Sequence, residues 1–135
     1  MHKVVFDTNI LVSSLLASGP PASIIDLVAQ GKIIPVYSDP ILCEYWEVLS
    51  REKFGFSSSQ VIRLMEDIAR TGIAIEDELP SVFPMPDDDD RVFYDIAVKA
   101  EAYLITGNKK HFPPESFVIS PADFLRIYQL SAGGE

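Results

Sequence analysis

Lys3-Val4-Val5-Phe6-Asp7-Thr8-Asn9-Ile10-Leu11-Val12-Ser13 decides the fold class of this chain. Residues 3–6 read as a short buried strand and residues 10–16 as a helix, with only Asp7-Thr8-Asn9 between them. So tight a passage from strand to helix is the opening of a βα unit, and the rest of the chain keeps the same alternation.

Gly19-Pro20-Pro21 breaks the chain, after which residues 23–30 carry Ile24, Ile25, Leu27 and Val28 at helical spacing and stop at Gly31. Residues 33–37 form a second strand. Ser38-Asp39-Pro40 supplies a capping side chain and a first-turn proline for a helix to Ser50 or Arg51, with Ile41, Leu42, Tyr45, Val48 and Leu49 facing inward. Ser57 or Ser58 caps the next helix, which Gly72 ends before a strand at 73–75. An acidic, proline-rich loop follows at 76–86 and runs into Asp87-Asp88-Asp89-Asp90. Phe93, Ile96, Ala97 and Ala100 then mark an amphipathic helix with an acidic first turn. Two more strands are expected at 103–106 and 117–119, and Ser120-Pro121 opens a final helix to about Leu130.

Short apolar strands between helices imply a parallel sheet covered on both faces. The expectation is a three-layer α/β/α domain over residues 1–130, a flexible tail at 131–135, no internal repeat and no second domain. Ligands of such open sheets bind beyond the carboxyl ends of the strands, where strand order reverses.

Composition narrows the function. With 135 residues, 47% of them hydrophobic, the chain can fill one core without disulfides. The single Cys43, with only His2 and His111 beside it, cannot complete a four-ligand zinc site. An acid at Asp7 comes too early for a signal-peptide core, and no apolar run reaches 18 residues, so a cytoplasmic protein without a membrane anchor is expected. Eleven basic residues against twenty acidic ones give a net charge of −9. That is the wrong sign for a broad basic nucleic-acid surface, so a phosphate substrate would need a divalent cation at the acids, or a basic partner covering them.

Four places carry candidate chemistry. Asp7 should project from the carboxyl edge of the sheet, either as a site residue or as the cap of the following helix. Glu44 shares a helix row with Ile41 and Val48, whereas Glu47 falls beside Arg51 on the surface. Asp89 and Asp90 can both point at the core edge, leaving Asp87 and Asp88 as caps or solvated charges. After the fourth strand come Thr106-Gly107-Asn108, where Gly107 admits close backbone approach and Asn108 offers an uncharged oxygen; Lys109, Lys110 and His111 follow as phosphate contacts.

Taken in order, these residues resemble the PIN-domain family from Lys3 to about Leu125. Asp7-Thr8-Asn9-Ile10-Leu11-Val12-Ser13 is similar to its first signature, Glu44 matches its second acid, and Asp90 through Leu104-Ile105-Thr106-Gly107-Asn108 resembles its third. The sixteen-residue spacing from Asp90 to Thr106 favours Asp90 over Asp89. The resemblance implies strand order 3-2-1-4-5 and a metal-dependent endoribonuclease, the toxin of a toxin/antitoxin pair. It also implies a homodimer and a small antitoxin with a basic segment. Asp7, Glu44, Asp90 and Asn108 would then be ligands to Mg²⁺ or Mn²⁺, with Asp7, Glu44 and Asp90 catalytic. Thr8, Asn9 and Thr106 would fix carboxylate rotamers, and Lys109 and Lys110 would meet RNA. Many members carry aspartate where Asn108 stands, which removes one fixed charge from a second metal position. Two other readings stand beside this one: a non-catalytic PIN-like module that binds RNA or a partner, and a receiver-type phosphoacceptor, whose acidic pair after the first strand is missing.

Overall fold

The computed structural model describes residues 1–76, 85 and 88–133. Five parallel strands, β1 (Lys3–Phe6), β2 (Ile34–Tyr37), β3 (Ile73–Ala74), β4 (Tyr103–Ile105) and β5 (Val118–Ile119), form one sheet in the order β3-β2-β1-β4-β5. Val4, Val5 and Phe6 are all within 1% of full burial. Because successive strand residues face opposite sides, both faces of β1 are covered, as the unbroken apolar run requires.

Six helices supply the cover: α1 (Thr8–Leu16), α2 (Pro20–Ala29), α3 (Asp39–Leu49), α4 (Ser58–Thr71), α5 (Arg91–Ala100) and α6 (Pro121–Gly133). α5 packs along β1, β2 and β4, and it buries Phe93, Ile96, Ala97 and Ala100, the expected stripe. Among the described residues no single helix is long and apolar enough to cross a membrane.

Several boundaries differ from the sequence reading, each for a local reason. α1 begins at Thr8 rather than residue 10, since Asp7 itself is the N-cap and the turn has no spare residue. α2 begins at Pro20, so the two prolines open a helix instead of separating two. A first-turn proline forfeits no intrahelical hydrogen bond, and its ring already holds a helical φ. Asp88–Asp90 forms a 3₁₀ turn leading into α5, not the first turn of that helix. α6 extends to Gly133, past the end expected near Leu130. The 76–86 loop apart from residues 76 and 85, together with Asp87, lies outside the described residues, as do residues 134 and 135.

Capping follows the sequence closely. The Ser38 side chain accepts from the Ile41 amide at 3.4 Å, and Ser57 and Gln60 form a reciprocal capping box at α4. Gly72 ends α4 in an extended conformation open to any residue, yet it has no room for a side chain. A Cβ there would sit 2.6 Å from the Ile68 carbonyl oxygen and closer still to that of Pro35. Gly72→Ala should therefore force α4 and β2 apart and cost about 1–3 kcal/mol, read as a lower urea midpoint. An unchanged midpoint would show that the helix end gives way freely.

Candidate functional site

Asp7 leaves β1 at its carboxyl end with its backbone still extended, and it is only 6% exposed. Its amide donates to the Ile105 carbonyl at 3.1 Å, extending the β1–β4 pairing by one residue. Although Asp7 holds the N-cap position, its side chain makes no capping hydrogen bond. The Thr106 hydroxyl donates to Asp7 Oδ2 at 2.9 Å instead, across 99 residues of sequence. That hydroxyl also accepts from the Asn108 amide at 3.0 Å, so fully buried Thr106 ties the turn after β4 to the acid after β1.

Glu44 is half-buried on α3, in the row with buried Ile41 and Val48, as its spacing indicated. The Thr8 hydroxyl donates to Glu44 Oε2 at 3.3 Å, which brings α3 to the start of α1. Glu47 turns away and pairs with Arg51 at 2.9 Å on the surface. Tyr45, next to Glu44, explains why α3 stands where it does. Its buried hydroxyl donates to the Phe6 carbonyl at 2.6 Å, and its ring stacks on Phe93 of α5.

Electrostatics show how closely the acids crowd. Burial raises the Asp7 carboxyl above the ordinary carboxylate range, opposed in part by the Thr106 hydroxyl, the Asn9 amide, His111 and the Thr8 amide. Burial also raises Glu44; the Thr8 hydroxyl opposes this, while the charges of Asp7, Asp89 and Glu47 add to it. The Tyr45 hydroxyl is pushed well above its usual range by burial and then by Asp7.

The third acid is arranged differently from its neighbours. Asp90 ends the 3₁₀ turn as the N-cap of α5 and makes no capping hydrogen bond. Its Oδ2 lies 3.2 Å from His111 Nδ1. His111 Nε2 in turn lies 2.9 Å from the Asn108 side-chain nitrogen. A continuous path therefore runs from Asp90 through His111, Asn108 and Thr106 to Asp7. The charge of Asp89, its neighbour in sequence, reaches Glu44.

The structure thus joins Asp7 with Thr106 and Glu44 with Thr8, and it links Asp90 to Asn108 through His111. Asn9, Lys109 and Lys110 are exposed at the same carboxyl edge, the lysines on the 3₁₀ turn Lys109–His111. A Cβ on Gly107 would meet nothing within 4 Å, so no neighbouring group of the described residues requires glycine there. Sequence reasoning treats His111 as one more basic residue and misses its role. Its place three residues after Asn108, which a 3₁₀ turn stacks directly above it, is the signal that could have found it.

In chemistry, a buried Asp7 and a half-buried Glu44 on which the charge of Asp7 acts suit an oxygen-coordinated divalent cation, which would relieve the repulsion. In geometry, no three His, Cys, Asp or Glu side chains among the described residues are gathered closely enough to hold a metal together. A cavity of about 530 Å³ opens at the opposite, amino edge of β1 and β4, lined by Met1, His2, Val98, Tyr103 and Phe117 among others. It contains none of the candidate acids. We place the site at the carboxyl edge because polar groups converge there, which outweighs the volume of an apolar cleft.

Comparison with known proteins supports this assignment of fold. No curated protein matches the chain. Among solved structures it is similar to VapBC2 from Rickettsia felis, bound to a DNA fragment from their promoter, with 17% identity and a TM-score of 0.56 over 87% of this chain and 96% of that one. It is also similar to PAE2754 from Pyrobaculum aerophilum, with 12% identity and a TM-score of 0.60 over 98% of this chain and 90% of that one. The PIN domain family matches residues 3–110, which span β1 through the turn after β4 and include each of the candidate acids. The match covers most of the chain and the strand order fits it, so the chain belongs to the PIN domain family.

Proposed function

We propose that the protein is a metal-dependent endoribonuclease and the toxin of a toxin/antitoxin pair. PIN domains are generally nucleases, and the observation that carries the reading here is the pair of acids at the carboxyl edge, buried Asp7 and half-buried Glu44, each held by a threonine hydroxyl and with the charge of Asp7 acting on Glu44. Asp7, Glu44 and Asp90 would hold Mg²⁺ or Mn²⁺, with the Asn108 amide oxygen as a neutral donor. When bound, such a cation stabilises charge at a phosphate and acidifies a water for attack on phosphorus.

The chain's own residues then have distinct tasks. Thr106 and Thr8 orient the two carboxylates, so that little rotamer freedom is lost when a cation is held. Lys109 and Lys110, exposed beside Asn108, give the RNA backbone the local positive charge that a protein of net charge −9 lacks elsewhere. Asn9, exposed at the same edge, can hydrogen-bond the substrate. The fold likeness to VapBC2 supports an antitoxin partner, whose basic segment would neutralise the acidic crevice. Asymmetry in the site favours one tight cation over two, since Asn108 contributes no charge.

A PIN module that binds without cutting is the competing reading, favoured by the absence of a preassembled three-acid group among the described residues. Incubation of the purified protein with unstructured RNA separates the two. Cleavage is expected with Mg²⁺ or Mn²⁺ and should stop on adding EDTA. Cleavage that persists in EDTA, or binding without cleavage at any metal concentration, would defeat the proposal.

A further inference from the structure

His111 belongs to no metal or catalytic set read from the sequence, yet its ring lies at the centre of the third arm of the site. Nδ1 is 3.2 Å from Asp90 Oδ2, and Nε2 is 2.9 Å from the Asn108 side-chain nitrogen. Each ring nitrogen thus has its own neighbour. Nδ1 lies at ion-pair distance from the Asp90 carboxylate. An amide NH₂ only donates, so Nε2 accepts. This contact spends the amide nitrogen of Asn108 on the ring. The oxygen of Asn108 is then the atom left for a ligand.

We infer that His111 is a positioning residue: it holds the Asp90 carboxylate and orients the Asn108 amide, so that a carboxylate and an amide oxygen are presented together at the carboxyl edge. This rests on the metal-site reading above, because it assigns Asp90 and Asn108 to that site. The ring is 45% exposed and lies on a short 3₁₀ turn, so packing alone does not account for its place. Outer hydrogen-bond partners of metal-ligating carboxylates typically contribute ten- to a hundredfold in affinity.

The test measures Mn²⁺ binding through the electron paramagnetic resonance signal of unbound Mn²⁺, with RNA cleavage followed in parallel. His111→Ala should weaken Mn²⁺ affinity about tenfold or more. His111→Asn places an amide N–H near the position of Nδ1 and should recover most of that loss, whereas His111→Phe, which keeps the ring and loses both nitrogens, should not. Adding Asn108→Ala to His111→Ala should cost less than the two single changes combined, since the residues act through one contact. Wild-type affinity in His111→Ala, or His111→Asn no better than His111→Phe, overturns the inference while leaving the nuclease reading intact. Wild-type protein that neither binds Mn²⁺ nor cleaves RNA overturns that reading, and the inference with it.

Discussion

Asp7→Asn is expected to lower RNA cleavage by more than about a hundredfold, beyond what loss of a supporting contact causes, while making the metal-free protein more stable. The amide keeps the shape of the side chain and can still accept the Thr106 hydrogen bond, but it brings no charge to a cation. Stability should move the other way because burial raises the Asp7 carboxyl in the folded state. A carboxyl that holds its proton more tightly when folded favours folding at low pH. That contribution is complete below the unfolded value and is lost as pH rises through the raised folded value. The amide variant would carry no such loss. Its advantage should be nil in acid and reach about 1 kcal/mol, or roughly 4 °C in melting temperature, near neutral pH. Neutralising Asp90 should give no such gain, as its carboxylate faces His111. Thermal melts in EDTA across pH, with cleavage assays beside them, check both halves. An active Asp7→Asn enzyme would remove Asp7 from the chemistry, and a pH-independent difference in melting would remove burial as the cause.

Thr106→Val should be nearly as damaging to cleavage, although Thr106 touches no substrate in this proposal. Valine reproduces the shape and removes one hydroxyl, and with it the donor to Asp7 and the acceptor for the Asn108 amide. Thr106 is fully buried, so no water replaces those partners. Leaving a buried acceptor without its donor costs about 1–3 kcal/mol of stability. Freed from the hydroxyl, the carboxylate and the Asn108 turn lose their common anchor, and cleavage should fall about ten- to a hundredfold. Thr106→Ser keeps the hydroxyl and should restore most of the rate. A serine variant as slow as the valine variant would show that the missing methyl, not the hydrogen bond, is what matters.

The sequence carried most of the sheet because its signals are local. Residues 3–6 are apolar without a gap, and Asp7 to Asn9 leave no room for anything but a tight turn, so β1 and α1 could be read directly. Strand order could not be read that way, because nothing in residues 3–6 says that residues 103–105 lie beside them. It came instead from likeness to a family. The same division runs through the site. The half-buried place of Glu44 follows from its row on α3, but its choice as a site acid came from the family likeness, and its partner Thr8 is 36 residues away where no spacing rule reaches. Asp89 and Asp90 are neighbours in sequence with opposite company, one acting on Glu44 and the other held by His111. That separation depends on a 3₁₀ turn where a helical turn was expected, which rotates the two side chains differently. Pro20 misled for the opposite reason: proline signals a break in the chain and also suits a helix start, and only the structure distinguishes the two.

β1, the first strand made, lies at the middle of the sheet, between β2 and β4. Its acid gains the Thr106 hydroxyl only when residue 106 arrives and β4 docks. A ribosome-bound nascent chain halted before β4 lacks an inner edge for β1, and any chain cut short there lacks the groups that hold Asp7. For a protein that would degrade RNA, including its own message, this order of synthesis would be a safeguard. On the proposed function, fragments that end before β4 should be inert, because Asp7 then lacks the Thr106 hydroxyl.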